Sequence, residues 1–273
     1  MRTPHRRIRN NLEAGDRAYG IRLQLPSPDI AEIAGYAGAD FVWLDAEHGT
    51  MDLRDIGEVV RAADASGIDA LVRVPDHSPS FIQRVLDTGA AGIIAPHVRT
   101  VEEGAAIAEA TRFGPTGSRG ACASARAFGH HSPNWPADRR RADADVLAFG
   151  VVEDTEGMDN VEAIARDSGL DGLMFGAFDL AQDQGLEGDV THPDIKALHQ
   201  RFLAAVRAAG TECLAVPGWG SGDITALAEH ARLFSLSGDR AALADAFRTA
   251  LAGAETALTA RVSVMARDEE ARR

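Results

Sequence analysis

The sequence predicts a single (β/α)8 TIM barrel, and three observations carry that prediction. Short apolar strand candidates alternate with helical stretches along nearly the whole chain, eight strands in all, which is the pattern of βα units on a parallel sheet. Strand cores such as LMF and ALV are apolar without strict alternation, as strands covered on both faces require. Polar and ionisable residues recur at the strand C-terminal ends, where the loops of a barrel build active sites. No Gly-x-Gly-x-x-Gly turn follows the first strand, so an open dinucleotide-binding sheet lacks its mark.

In chain order, AYGIRLQL is the first strand, interrupted by Arg22 and Gln24 and ended by Pro26, and SPDIAEIAGYAG is the helix behind it. FVWLDAE and DLRDIGEVVRAADASG form the second unit, the helix opening on an N-cap residue and closing at Gly. DALVRVP with SPSFIQRVLDTG, and GIIAPHV with TVEEGAAIAEATRF, repeat the arrangement. VLAFGVVED pairs with EGMDNVEAIARDSG, LDGLMFGAFDL with HPDIKALHQRFLAAVRAAG, ECLAVPG with GDITALAEHA, and RLFSLSG with the long run from Asp239. Each helical run spaces its apolar residues by three and four, giving a stripe to lay on the sheet. Residues 114–137, GPTGSRGACASARAFGHHSPNWPA, are too long for a simple connection, and such insertions serve as binding loops or subunit contacts. The division expected is a solvated basic arm over residues 1–18, the barrel over 19–260 and a charged, fraying tail over 261–273.

A formal charge of -13 on 273 residues runs against nonspecific binding of nucleic acid or an anionic membrane. No apolar stretch is long enough to serve as a signal or to span a bilayer, so a cytoplasmic protein is expected. Cys122 and Cys213 have no C-x-x-C neighbour and read as reduced thiols without a catalytic role. The only lysine, Lys196, falls within a predicted helix, which leaves a Schiff-base mechanism without a nucleophile.

The second strand closes with Asp45, Glu47 and His48; Arg73 follows 25 residues after His48, His97 another 24 on, and Asp179 lies 26 beyond Glu153. A step of that size is one βα unit, so these side chains are expected on one ring. Glu153 and Asp179 are the expected metal ligands, suited to a hard cation such as Mg²⁺ or Mn²⁺, with Co²⁺ a further possibility. Arg73 is the expected charge sink for an enolate oxygen. His48 is the expected proton-transfer group, acting directly or through a metal-bound water. His77 and His97 are weaker candidates of the same kind, and His130 and His131 weaker still; His5 and His192 read as surface or cap residues. Gly176 and Ala177 expose backbone N–H groups that suit a substrate carboxylate. Trp135, in the insertion, is the expected wall of an aldehyde pocket.

These residues resemble the HpcH/HpaI aldolase family, through WLDAEHG at 43–49, VRVP at 72–75, IIAPHV at 93–98, GSRG at 117–120, VEDTEGMDNVEAI at 152–164 and GLDGLMFGAFDLA at 169–181. The resemblance implies a metal-dependent class II pyruvate aldolase on a barrel, with the metal on Glu153 and Asp179. It also implies Arg73 at the enolate oxygen, His48 in proton transfer, and carboxylate binding by amides around Gly176 and Ala177. It makes Asp45 an acid that orders water or nearby side chains, and Asp87 a partner for the histidine. Since Asp87 falls at the end of the third predicted helix, on the opposite face from His48, that pairing requires a neighbouring subunit. The resemblance, together with the apolar, alanine-rich run from Ala241 to Ala250, also implies a homo-oligomer, a hexamer built from dimers, with the last helix packed across a neighbouring subunit. The chain has Val151 where the family often has Gln, and Gly-Ala-Phe-Asp where it often has Gly-Pro before x-Asp.

The expected reaction is reversible cleavage of a 4-hydroxy-2-keto acid to pyruvate, or hydroxypyruvate, and an aldehyde. The alternatives are a related metal-dependent lyase or decarboxylase acting on an oxaloacetate-like or acyl-CoA adduct, and a barrel that binds a small acid without turnover.

Overall fold

A computed structural model describes residues 6–218 and 223–271, the last twelve of these by backbone alone. Eight strands, β1 (Ala18–Leu23), β2 (Phe41–Asp45), β3 (Asp69–Arg73), β4 (Gly92–Ala95), β5 (Leu147–Val152), β6 (Gly172–Phe175), β7 (Glu212–Ala215) and β8 (Leu233–Gly238), close into one parallel barrel in sequence order. The helices are α1 (Arg7–Ala14), α2 (Pro28–Tyr36), α3 (Leu53–Ser66), α4 (Pro79–Asp87), α5 (Val101–Thr111), α6 (Trp135–Asp145), α7 (Thr155–Asp159), α8 (Val161–Asp167), α9 (Ala177–Asp183), α10 (Pro193–Ala209), α11 (Ile224–Leu227) and α12 (Asp239–Ala271). The predicted fold class is the observed one.

Two apolar cores follow from the period of two along each strand. Outward residues such as Val42, Leu44 and Val72 pack under the helices, while Phe41, Trp43, Leu71, Phe149, Val151 and Met174 fill the barrel interior. Continuing the interior set by two places Asp45 after Trp43 and Arg73 after Leu71, and these two are register partners across β2 and β3. Glu153 and Gly176 continue Val151 and Met174 in the same way, so the sequence alternation itself raises polar groups to the mouth.

Local signals account for the helix starts. Asp52 and Asp55 make a reciprocal capping box on α3, Asp154 caps α7, and His192 caps α10 through an acceptor bond from the Asp194 N–H.

The structure bears on four expectations. Residues 7–14 are a helix that plugs the strand N-terminal end, where a solvated arm was expected. Ile8 is fully buried among the interior residues, its N–H donates to Asp69, and Arg7 and Arg9 pair with Asp40 and Asp171. The basic residues therefore answer acids on the barrel floor. LDGLMFGAFDL divides into β6 and α9, because the chain turns at Gly176. The insertion packs outside the barrel: Arg126 bonds the Thr88 carbonyl and pairs with Asp64, and Gly120 donates to Gln83. Finally, α12 keeps a helical backbone through Ala271, over the segment where a charged, fraying helix end was expected. Met1–His5, Trp219–Gly222, Arg272 and Arg273 lie outside the described residues, and with them the surface reading of His5.

Candidate active site

A cavity of about 540 Å³ lies at the C-terminal ends of the strands, lined by His48, Arg73, Glu153, Gly176, Ala177 and Asp179 among others. Its polar side is built on a buried ion pair. Arg73 donates from Nε and Nη2 to the two carboxylate oxygens of Asp45, at 3.0 and 2.6 Å, and lies 3.0 Å through Nη1 from Glu47 Oε2. Asp45 also accepts from the His48 N–H and from Gln24 Nε2. Burial pushes the Asp45 carboxyl up, but these bonds outweigh it and hold the group below the usual carboxylate range. The result is a guanidinium fixed in position before substrate arrives. A Cβ at Gly49 would sit 2.1 Å from the Asp45 carbonyl oxygen, so only glycine lets DAEHG double back and present His48. The His48 side chain is 56% exposed, with Nε2 3.6 Å from Glu47 Oε2.

The acidic side gathers Glu47, His97 and Glu153, whose potential ligand atoms lie within 4.8 Å of one another. Glu153 Oε1 accepts from the His97 N–H at 2.7 Å and lies 3.3 Å from His97 Nδ1, while His97 Nε2 lies 3.6 Å from Glu47 Oε1. His97 adopts φ +50, a left-handed backbone that is uncommon for a residue with a side chain. Burial raises the Glu153 carboxyl to about 7, against the pull of His97 and with the added push of Glu47 and Asp179. A buried carboxylate crowded by two further acids is short of positive charge, and a divalent cation meets that need with the oxygen donors available. The cluster is thus able to coordinate a divalent metal ion.

Asp179 lies in the first turn of α9 and lines the same cavity, though the compact cluster is Glu47, His97 and Glu153. Gly176 serves through its missing side chain: a Cβ there would stand 2.3 Å from Glu153 Cβ and 2.6 Å from Glu153 Oε2. Its N–H is already donated to the Val152 carbonyl, which corrects the expectation of a Gly176 amide for the substrate and leaves Ala177.

Two expected residues stand away from this cavity in the same chain. Trp135 is not among the residues lining it, and packs its ring on Phe113 and Phe128, at centroid distances of 5.3 and 5.1 Å. Asp87 ends α4 and takes a 2.9 Å bond from Arg119, a buried guanidinium stacked over Phe113. His130 and His131 are exposed, and Lys196 is exposed on α10. His77 bonds the Pro96 carbonyl and so steadies the turn that carries His97.

Sequence reasoning passed over Arg22, Gln24, Ser235 and Ser237, and named Glu47 without a ligand role; all five belong to this site or touch it. The signal was present. These are the polar residues at the ends of the first, second and eighth strands, the rule applied elsewhere along the chain.

The profile of the HpcH/HpaI aldolase/citrate lyase family matches residues 19–238. The chain is 37% identical over 212 residues to a 4-hydroxy-2-oxovalerate aldolase of Novosphingobium aromaticivorans, covering 77% of this chain and 79% of that one. It is 36% identical over 196 residues to a 5-keto-4-deoxy-D-glucarate aldolase of Salmonella arizonae, covering 71% and 75%. Among solved structures it resembles an HpcH/HpaI aldolase/citrate lyase family protein from Burkholderia cenocepacia, with TM-score 0.83, 32% identity and 93% and 100% of the two chains covered. It also resembles the citrate synthase SbnG, with TM-score 0.82, 29% identity and coverage of 91% and 97%. With a metal-competent Glu/His cluster at the mouth of a closed barrel, the chain belongs to the HpcH/HpaI aldolase/citrate lyase family and is a metal-dependent carbon–carbon lyase.

Proposed function

We propose that the protein catalyses reversible aldol cleavage of 4-hydroxy-2-keto acids, releasing pyruvate or hydroxypyruvate and an aldehyde. The observation that carries this reading is the placement of a pinned guanidinium, Arg73, next to an acidic cluster around Glu153 at one cavity, with Glu47 of that cluster 3.0 Å from Arg73. A divalent cation bound there, Mg²⁺ or Mn²⁺ with Co²⁺ as a further candidate, supplies the Lewis acid that draws electrons from the keto group. Glu153 and Asp179 are its proposed carboxylate ligands, with Glu47 and His97 beside them.

The remaining steps belong to the side chains. Arg73 has five N–H donors; Nε and Nη2 bond Asp45, and Nη1 forms an ion pair with Glu47, so further donors of the same guanidinium are proposed to face the keto oxygen. Negative charge that develops on that oxygen as the C3–C4 bond breaks is met by a cation that need not move. His48 takes the 4-hydroxyl proton in cleavage and returns it in synthesis. The Ala177 N–H is the proposed donor to the keto-acid carboxylate. Asp87 is proposed to serve the His48 of a neighbouring subunit within a homo-oligomer.

A second reading, a lyase or decarboxylase acting on an oxaloacetate-like acid, draws on the likeness to a citrate synthase. An acyl-CoA substrate is less favoured, because Arg139 and Arg141 pair with Asp143 and Asp138 on their own helix.

The test is proton NMR of pyruvate in deuterated buffer. Methyl exchange that needs Mg²⁺ or Mn²⁺ and stops with EDTA supports the enolate, and pyruvate released from a 4-hydroxy-2-keto acid supports the cleavage. Full activity in metal-free protein defeats the reading.

A further inference from the structure

His97 is the member of the acidic cluster to which the proposed chemistry gives no task. Its ring stands between two carboxylates, with Nδ1 3.3 Å from Glu153 Oε1 and Nε2 3.6 Å from Glu47 Oε1. Among the described residues, Nδ1 is a buried nitrogen that makes no hydrogen bond, and a buried polar atom in that state is uncommon in a folded protein. Glu153 Oε1 already accepts the His97 backbone N–H at 2.7 Å, which leaves that oxygen lone-pair capacity for one more partner. Ligand atoms held at about 2.1 Å around an octahedral ion stand about 3 Å apart, so the 3.3 Å spacing of Nδ1 and Oε1 suits one shared cation.

The fold fixes the ring at that place. His97 has φ +50, and a left-handed backbone under a side chain persists only where its surroundings over-determine it. Three bonds do so here. His77 bonds the Pro96 carbonyl at 2.6 Å, the Val98 N–H donates to the Val151 carbonyl at 2.9 Å, and the His97 N–H is tied to Glu153. The turn after β4 thus aims an imidazole at the carboxylate that follows β5. The second ring nitrogen faces Glu47, whose Oε2 lies 3.0 Å from Arg73 Nη1. A carboxylate behind the second nitrogen is the arrangement that orients metal-bound histidines and makes them more basic donors.

We propose that His97 binds the cation of Glu153 through Nδ1, and that this nitrogen donor makes the site select Co²⁺ over Mg²⁺. The inference rests on the proposed placement of the catalytic metal at Glu153 and extends its ligand set, since Glu153 and Asp179 offer oxygen alone. Oxygen donors suit Mg²⁺, whereas an imidazole favours the later first-row ions, whose affinity for nitrogen rises from Mn²⁺ through Co²⁺. Glu47 then stands behind the imidazole as its orienting carboxylate, and links the metal side of the site to Arg73.

Pulsed EPR of the Mn²⁺-loaded protein, prepared with natural and with ¹⁵N-labelled histidine, reads the donor without turnover. A nitrogen coupling that changes with the label is expected in the native protein, to persist in His48→Asn and to vanish in His97→Asn. Asn is the replacement used because it tolerates a left-handed backbone. Calorimetric titration gives the selectivity: His97→Asn is expected to weaken Co²⁺ binding by roughly 10- to 100-fold and Mg²⁺ binding by less than about threefold. No histidine coupling in the native protein, a coupling that survives in His97→Asn, or an equal loss of both ions overturns the assignment. If circular dichroism shows His97→Asn unfolded, the native and His48→Asn spectra decide alone, because a coupling lost with His48 overturns it as well. Pyruvate methyl exchange separates the two readings: histidine coupling without exchange is a failure of the aldolase reading, whereas metal-dependent exchange without coupling is a failure of the His97 ligand alone.

Discussion

At the scale of single residues, the site is a contest between burial and charge, and Glu153 shows which wins. Its carboxyl is raised to about 7 by burial, so below that pH a cation must displace a proton. Affinity for Mn²⁺, measured by calorimetry, is expected to fall about tenfold per pH unit below 7 and to level off above it. Glu153→Gln is expected to abolish metal-dependent pyruvate exchange at every pH, because a neutral amide is a poor ligand for a hard cation. Gly176 bears on the same carboxylate from outside: Gly176→Ala places a methyl 2.3 Å from Glu153 Cβ. A ligand displaced by about 1 Å loses on the order of 10² in rate. Circular dichroism of Gly176→Ala should show a folded barrel while exchange falls by that factor. The strand-end positions of Asp45, Arg73 and Glu153 were legible in the sequence. The role of Gly176 was not, since the collision that forbids a side chain there involves a neighbouring strand.

At the scale of elements, α1 and α10 carry the informative cases. Ile8 of α1 is fully buried at the barrel floor, and Ile8→Ala is expected to cost about 2–5 kcal/mol in urea unfolding; a solvated arm would show no change. On α10, His199 is buried against Phe175 and Phe202. Burial, with a smaller push from His230, lowers its imidazole from 6.5 to about 4. The unfolded chain therefore binds a proton between pH 6.5 and 4 that the folded chain refuses, and stability is lost as pH falls through that window, by about 3 kcal/mol in total. Glu153 acts with the opposite sign in metal-free protein, since its folded form keeps a proton that the unfolded chain releases. The His199 contribution is therefore read as a difference: stability of His199→Phe should depend less on acid than that of the native protein, with the gap opening below pH 6.5. The period of apolar residues identified α10 from sequence. It did not reveal that α1 would insert, because a stretch with four arginines reads as solvated until the acids opposite it, Asp40, Asp69 and Asp171, are known.

At the scale of the whole molecule, α12 leaves the barrel with large apolar side chains in water: Phe247, Leu251 and Leu258 are each more than 60% exposed. An exposed apolar helix face of this kind marks an interaction surface. Light scattering is expected to give a mass above the 28.9 kDa of one chain, and Phe247→Asp with Leu251→Asp to reduce it; a monomer mass for the native protein would remove the proposed pairing of Asp87 with a neighbouring His48.

The sequence by itself determined the barrel, the order of its units and which strand ends carry polar side chains. Those properties depend on local periodicity and on a βα step that repeats along the chain, and both can be read one segment at a time. Tertiary structure decided what closure brings together. It joined Glu47 and His97 to Glu153, gave Gly176 its meaning as empty space, and moved Trp135 to an aromatic cluster outside the mouth. It also set Arg22 beside Gly238 across the β1–β8 seam. Residues at opposite ends of a chain become neighbours only when the ring closes, and no spacing within one segment records that contact.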